Sequence, residues 1–438
     1  MKKTLLLIAT LLASYVGMAQ ETYHPTAENL KAREQFQDDK FGIFLHWGLY
    51  SMMGTTEWIM TNRDINYKEY PKLAKTFYPS EFDADAWVKA IKAAGAKYIT
   101  ITTRHHDGFS LFKTATSTYN SVDGTPFKRD IIKEMADACQ RNGIKLHLYY
   151  SHLDWGREDY PVGRTGTGTG RPKEKANWAS YYKFMNTQLT ELLTNYGKVG
   201  AIWFDGWWDH DSDAKPFDWQ LEEQYALIHK LQPQCLIANN HHHTPFPGED
   251  IQIFERDLPG ENKAGLSGQS IGRLPLESCQ TINEHWGYNI TDTLYKSPKE
   301  LIQMLVRAAG KNANLLLNIG PEPGGALPEL ALNRLQAIGE WLNKYGETIY
   351  GTRGGIVGPH EWGVSTQRGN KLYIHILNCM DSSLFIPTGN HKIKSATVFG
   401  TNKRVNFTKT GNGITLNFDT VPTDIDYIVE LTDRKSVV

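Results

Sequence analysis

The run Ala201-Ile202-Trp203-Phe204-Asp205-Gly206-Trp207-Trp208 ends an apolar stretch on one carboxylate, a glycine and two indoles. A short apolar run closed by turn chemistry reads as a buried strand, so Asp205 stands at a strand tip among aromatic faces. That setting suits sugar chemistry, because pyranose rings present apolar C–H faces that pack on aromatic planes. The plainer alternative is an aspartate that caps the following turn. Other apolar runs also end on reactive side chains. These are His46-Trp47-Gly48, Arg104-His105-His106-Asp107-Gly108, Tyr149-Tyr150-Ser151-His152, Asn239-Asn240-His241 and Glu255-Arg256.

Two chemistries fit this inventory. In one, Asp205 attacks an anomeric carbon while a second carboxyl group protonates the leaving oxygen. In the other, His105, His106, His241, His242 or His243 joins Asp205 around a metal ion in a metal-assisted hydrolase. Adjacent histidines on an extended strand point to opposite faces and chelate poorly unless the chain turns there. HExxH and the other strong zinc motifs are absent, so the carboxylate pair is the preferred reading and no metal or other cofactor is expected. A glycan-binding barrel without catalysis is the reading from outside the enzyme class.

Strand tips share a site only if the strands converge. Apolar runs at residues 41–47, 96–103, 144–151, 199–204, 236–239, 251–255 and 314–319 alternate with helical patterns at 85–94, 130–141 and 178–196. Seven or eight such units predict an α/β fold, a (β/α)8-type TIM barrel, whose strand C-termini face one pocket. After a helix over 329–345, the segments 371–379, 393–399, 413–418 and 426–431 carry strand patterns separated by Gly, Asn and Pro turns. They predict a small C-terminal antiparallel β-sandwich over residues 351–438, following a catalytic barrel over 20–350. The Gly- and Arg-rich insertion at 163–173 lacks the Lys-Ser/Thr ending of a phosphate loop and reads as a mobile loop over the barrel mouth.

The chain has 438 residues, with 47 basic and 48 acidic side chains and a formal net charge of -1, so no field for nucleic acid is implied. The 12 Trp and 21 Tyr favour a carbohydrate ligand. Residues 1–19 have the charged, apolar and small-residue regions of a secretory signal peptide, predicting export to a periplasm or the medium. No later stretch is long and apolar enough to span a membrane. Cys139, Cys235, Cys279 and Cys379 show no metal or redox spacing and read as buried thiols. Oligomeric state is not legible.

The segments Phe41-Gly42-Ile43-Phe44-Leu45-His46-Trp47-Gly48, Thr103-Arg104-His105-His106-Asp107-Gly108-Phe109, Trp203-Phe204-Asp205-Gly206 and Asn314-Leu315-Leu316-Leu317-Asn318-Ile319-Gly320-Pro321 resemble the signatures of the α-L-fucosidases of glycoside hydrolase family 29. The resemblance covers the barrel nearly end to end. It implies an exo-acting retaining glycosidase without a metal requirement, acting on terminal α-L-fucosyl residues of glycans. Asp205 matches the family's nucleophile, and His46, His105 and His106 match histidines that bond the sugar hydroxyls. Glu57 beside Trp58 matches a sugar-binding carboxylate, Tyr149 matches a tyrosine near the nucleophile, and Trp58, Tyr149 and Trp203 are expected to contact substrate. Trp286 matches an aromatic position near the sugar's C6 methyl. Glu255 is the preferred general acid, at a strand end, and Glu277 is the alternative, with Glu249 and Asp250 also within reach. The chain departs from the family at Asn239-Asn240-His241-His242-His243, where relatives carry an Asn-Asp-Arg-Trp type segment. The arginine contact implied there falls to Arg256 or is replaced by histidine.

Overall fold

A computed structural model describes residues 23–401 and 403–433. The signal peptide at 1–19 lies outside the described residues. Eight parallel strands form the barrel: β1 (Phe41–Leu45), β2 (Tyr98–Arg104), β3 (Lys145–Ser151), β4 (Ala201–Asp205), β5 (Leu236–Asn239), β6 (Gln252–Glu255), β7 (Leu276–Thr281) and β8 (Ala313–Ile319). The sheet runs in the order β5-β4-β3-β2-β1-β8-β7-β6. A single bridge between Ala238 and Ile251 draws its two edges together.

The strand missed in the sequence is β7, whose residues Leu-Glu-Ser-Cys-Gln-Thr form no apolar run. Its polar side chains are buried all the same, because both faces of a barrel strand are covered. Along β4 the alternation is clear. Ala201 and Trp203 join the interior cluster with Phe44, Tyr98, Tyr149 and Cys279, while Ile202 and Phe204 join the layer beneath the helices. Asp205 continues the inward series, which is how a strand of period two aims it into the barrel mouth.

The helices begin where their caps allow. Asp83 accepts from the Ala86 amide ahead of Ala84–Ala93, Asp130 from Lys133 ahead of Ile131–Asn142, and Asn177 from Ser180 ahead of Trp178–Asn195. Ser297 and Glu300 form a reciprocal capping box on Pro298–Gly310. That last helix carries the C-terminal sheets. Its Gln303 amide donates to the Leu377 carbonyl, and its Arg307 guanidinium to the carbonyls of His360 and Glu361.

Beyond the barrel lie an antiparallel five-stranded sheet and a three-stranded sheet around a separate apolar cluster that includes Ile374, Ile386, Leu416 and Leu431. Cys139, Cys235 and Cys279 are buried free thiols as expected, whereas Cys379 is only partly buried.

Candidate active site

The C-terminal ends of the strands surround a cavity of about 180 Å³, smaller than a drug-sized pocket and suited to one sugar ring. Phe44, His46, Glu57, Trp58, His105, Tyr149, Trp203, Asp205, Glu255 and Trp286 line it, together with Arg164, Trp208, Asn240, His242, Leu266 and Cys279. A larger cavity of about 770 Å³ lies between Phe36, Lys145, His147, Gly200 and Leu236, at the N-terminal ends of the strands. Size alone favours it, but barrel chemistry is built at the opposite face, where the polar strand ends converge.

Asp205 is held from several sides. Its Oδ1 accepts from the Gly206 amide at 2.8 Å, the Trp208 indole at 3.0 Å and the Asn240 amide at 3.4 Å. Its Oδ2 accepts from the Tyr149 hydroxyl at 3.0 Å and lies 3.5 Å from His106 Nε2. Gly206 sits at φ +93, a conformation glycine adopts freely, and this turn brings Trp208 back over the carboxylate. Burial and the nearby Glu255 charge push Asp205 up to about 6, against the pull of these donors. The capping alternative accounts only for the Gly206 contact.

Glu255, at the tip of β6, accepts from the Asn240 amide at 2.8 Å and from His242 Nε2 at 2.9 Å. Burial raises it, but the His242 hydrogen bond and charge, with Asn240, hold it below the usual carboxylate range. Because one Asn240 nitrogen touches both carboxylates, the two bonded oxygens are at most about 6.2 Å apart.

The histidines are fixed by their far nitrogens. Asn318 donates to the Trp286 carbonyl, so its Oδ1 faces His46 Nδ1 at 2.6 Å and takes the proton there. Ser151 donates to the Leu153 carbonyl and so accepts from His106 Nδ1 at 2.7 Å. Burial lowers His46 to about 4 and holds His105 and His106 well below the ordinary value. His46 and His106 are therefore neutral, with Nε2 left as an acceptor for a hydroxyl. His105 stacks on Tyr149 at 5.3 Å and 7°, and its Nδ1 has no partner. Glu57 accepts from the Gly287 amide at 2.9 Å, and Trp58 stacks on Trp208 at 5.5 Å and 15°.

Several expectations need correction. Glu277 is not on a loop: it lies on β7 inside the barrel, bonded to Tyr98 and Trp203 and absent from the cavity wall. Glu249 is occupied by Tyr225 and His241, and Asp250 by Arg33 and His229. The chain does turn in the histidine run, at His242 with φ +65, and this sends His241 to Glu249 and His242 to Glu255. Among the described residues no three of His, Cys, Asp or Glu are grouped to hold a metal ion. Arg256 lies over the pocket-lining Trp286, 5.1 Å from the ring centroid, and His242 bonds Glu255.

The 163–173 insertion reaches the mouth but is fastened rather than loose. Asp209 accepts from the Thr165 amide and hydroxyl, Thr61 accepts from the Gly166 amide, and buried Arg171 donates to the carbonyls of Arg157 and Tyr160. It contributes Arg164, whose guanidinium lies 5.1 Å over Trp208.

A parallel barrel with two carboxylates at the tips of β4 and β6, either side of β5 and around a cavity for one sugar, defines a glycoside hydrolase of the barrel class. The chain belongs to the α-L-fucosidase family: the family model described as alpha-L-fucosidase matches residues 10–347. A plasma alpha-L-fucosidase from Rattus norvegicus is 30% identical over 406 residues, covering 84% of this chain and 82% of that protein. Alpha-L-fucosidase isoenzyme 1 from Paenibacillus thiaminolyticus superposes with a TM-score of 0.82 at 35% identity, covering 93% of this chain and all of that one. A family 29 α-L-fucosidase from Bacteroides thetaiotaomicron, at 27% identity and TM-score 0.80, covers 94% of this chain and 98% of that one. That protein was captured as a trapped covalent intermediate with 2-fluoro-fucosyl fluoride, in a glutamate-to-glutamine mutant.

Proposed function

We propose that the protein is an exo-acting, retaining α-L-fucosidase in which Asp205 is the nucleophile and Glu255 the general acid and base. The observation that carries this is the Asn240 bridge, which limits the bonded carboxylate oxygens to about 6.2 Å. Retaining glycosidases hold their carboxyl groups about 5 to 5.5 Å apart, whereas inverting ones need about 6.5 to 9.5 Å to admit a water. Retention is tested by proton NMR of the first product from an aryl α-L-fucoside. α-Fucose supports double displacement and β-fucose contradicts it.

In the first step Asp205 bonds to the anomeric carbon as the glycosidic C–O bond breaks, and Glu255 gives its proton to the departing oxygen. In the second, Glu255 takes a proton from water, whose oxygen displaces Asp205. The His242 and Asn240 hydrogen bonds hold Glu255 below the usual carboxylate range. A sugar in the pocket expels water and favours the neutral carboxylic acid, which leaves Glu255 a competent acid. His46 and His106 accept sugar hydroxyls, Trp203 forms the floor, and Trp286 beside Phe44 supplies an apolar wall for the C6 methyl.

Two pH effects follow. Asp205 attacks only when ionised, so kcat/KM should be present above about pH 6 and fall as pH drops through that value. His242→Gln removes the partner that lowers Glu255, so the alkaline limb should move to higher pH. Initial-rate pH profiles check both, and an alkaline limb unmoved by His242→Gln contradicts the hold of His242 on Glu255. The mechanism routes no step through an ion, so activity should survive EDTA; loss with EDTA favours the metal-assisted alternative.

Export to a periplasm or the medium is the proposed destination, supported by the composition of residues 1–19. Among the described residues no helix is long and apolar enough to cross a membrane. The separate apolar core of the C-terminal sheets supports a division into a catalytic unit, 20–350, and a β-sandwich, 351–438.

A further inference from the structure

Glu277 is a fully buried carboxyl on β7, facing the barrel interior, that the proposed mechanism leaves unused, and it lies beneath the pocket. Its Oε1 accepts from the Trp203 indole N–H at 2.9 Å and its Oε2 from the Tyr98 hydroxyl at 2.6 Å. Both partners are neutral, and burial pushes the carboxyl up to about 7. An acidic group in a barrel core is costly to bury unless bonded, and here one of its two bonds goes to Trp203, a ring of the pocket wall.

The rings lead upward from Glu277. Trp203 lines the cavity, meets Phe44 edge-on at 5.1 Å and stacks on Tyr149 at 5.7 Å and 22°. Tyr149 in turn donates to Asp205 Oδ2 at 3.0 Å. An indole has a single polar atom, so fixing that N–H fixes which way the ring turns in its slot. From below, Tyr98 is itself held by a stack with His147 at 4.5 Å and 23°.

We propose that Glu277 is a positioning residue for the sugar pocket: by clamping the Trp203 N–H from inside the barrel, it sets the floor and the tyrosine that donates to the nucleophile. The proposal rests on the assignment of Asp205 and Glu255 above.

The test is a double-mutant cycle with E277L, E277Q and Trp203→Phe, read as kcat and KM on an aryl α-L-fucoside and on a fucosylated oligosaccharide, with melting temperatures. E277L should lose about 30-fold in kcat/KM on both substrates, mainly in kcat. E277Q, which still accepts from the indole and donates to Tyr98, should stay within about threefold. In the Trp203→Phe background E277L should add no more than about threefold, because the clamped N–H is already gone.

Wild-type rates for E277L, a loss in E277Q equal to that in E277L, or fully additive losses would each overturn the proposal while leaving Asp205 and Glu255 in place. A loss in E277L far larger on the oligosaccharide, with a burst on the aryl fucoside whose slow phase azide accelerates, would instead make Glu277 the acid, overturning the Glu255 assignment as well. Should E277L fail to fold, Tyr98→Phe replaces it in the cycle, since it frees the other oxygen of the clamp. Its loss should be about fivefold and should likewise vanish in Trp203→Phe.

Discussion

Asp205→Ala is expected to lower kcat on an aryl α-L-fucoside by on the order of 10⁴-fold or more, the largest effect of any single substitution in this chain. The variant keeps the acid but has no group to bond the anomeric carbon. Azide should restore part of the rate by entering the space left by the carboxylate and attacking from that face, yielding β-fucosyl azide. The same change strips an acceptor from the Gly206 amide, the Trp208 indole and the Tyr149 hydroxyl. Orphaned buried donors cost about 1 to 3 kcal/mol each before water replaces the acceptor, so the melting temperature should fall as well. Asp205→Asn keeps most of those bonds and separates the two effects. It should melt close to wild type and remain as inactive as Asp205→Ala.

Glu255→Ala should show its effect through the leaving group. On an oligosaccharide, whose departing alkoxide needs a proton, kcat should fall about 10³-fold, within the range general acids contribute. On an activated aryl fucoside the first step barely needs the acid, so the fucosyl-enzyme should form and accumulate because water is no longer deprotonated. A burst of phenol followed by a slow steady state, accelerated by azide, is the expected trace. Equal losses on both substrates would remove Glu255 from the acid role.

The barrel and the nucleophile were legible because both leave local marks. A strand such as Ala201–Asp205 writes its burial into a continuous apolar run, and the carboxylate that ends it cannot be mistaken for core. The neutral histidines were legible as residues but not as acceptors, since their tautomers depend on Asn318 and Ser151 from β8 and β3. The strand Leu276–Thr281 was opaque for a physical reason. Its inward positions carry Cys279 and Glu277, a carboxyl satisfied by Trp203 and Tyr98 from other strands, and polar residues fill the positions between, so no apolar run appears.

The same holds for Asn240 and His242, which reach Glu255 only because the chain turns at His242 with φ +65, a conformation that histidine seldom adopts. Arg164 could not be placed because the glycines around it suggested freedom, while the fastening comes from Thr61 and Asp209, far away in sequence. Local pattern thus marks what a strand presents, and tertiary partners decide what each polar group does there.

The covalent role of Asp205 is tested most directly by trapping. The protein is incubated with 2-deoxy-2-fluoro-fucosyl fluoride, digested, and its peptides weighed and sequenced by mass spectrometry. A single fluorofucosyl adduct on the carboxylate of Asp205, forming as activity is lost, is the predicted result. Adduct on Glu255 or another residue, or inactivation without any adduct, would contradict the mechanism.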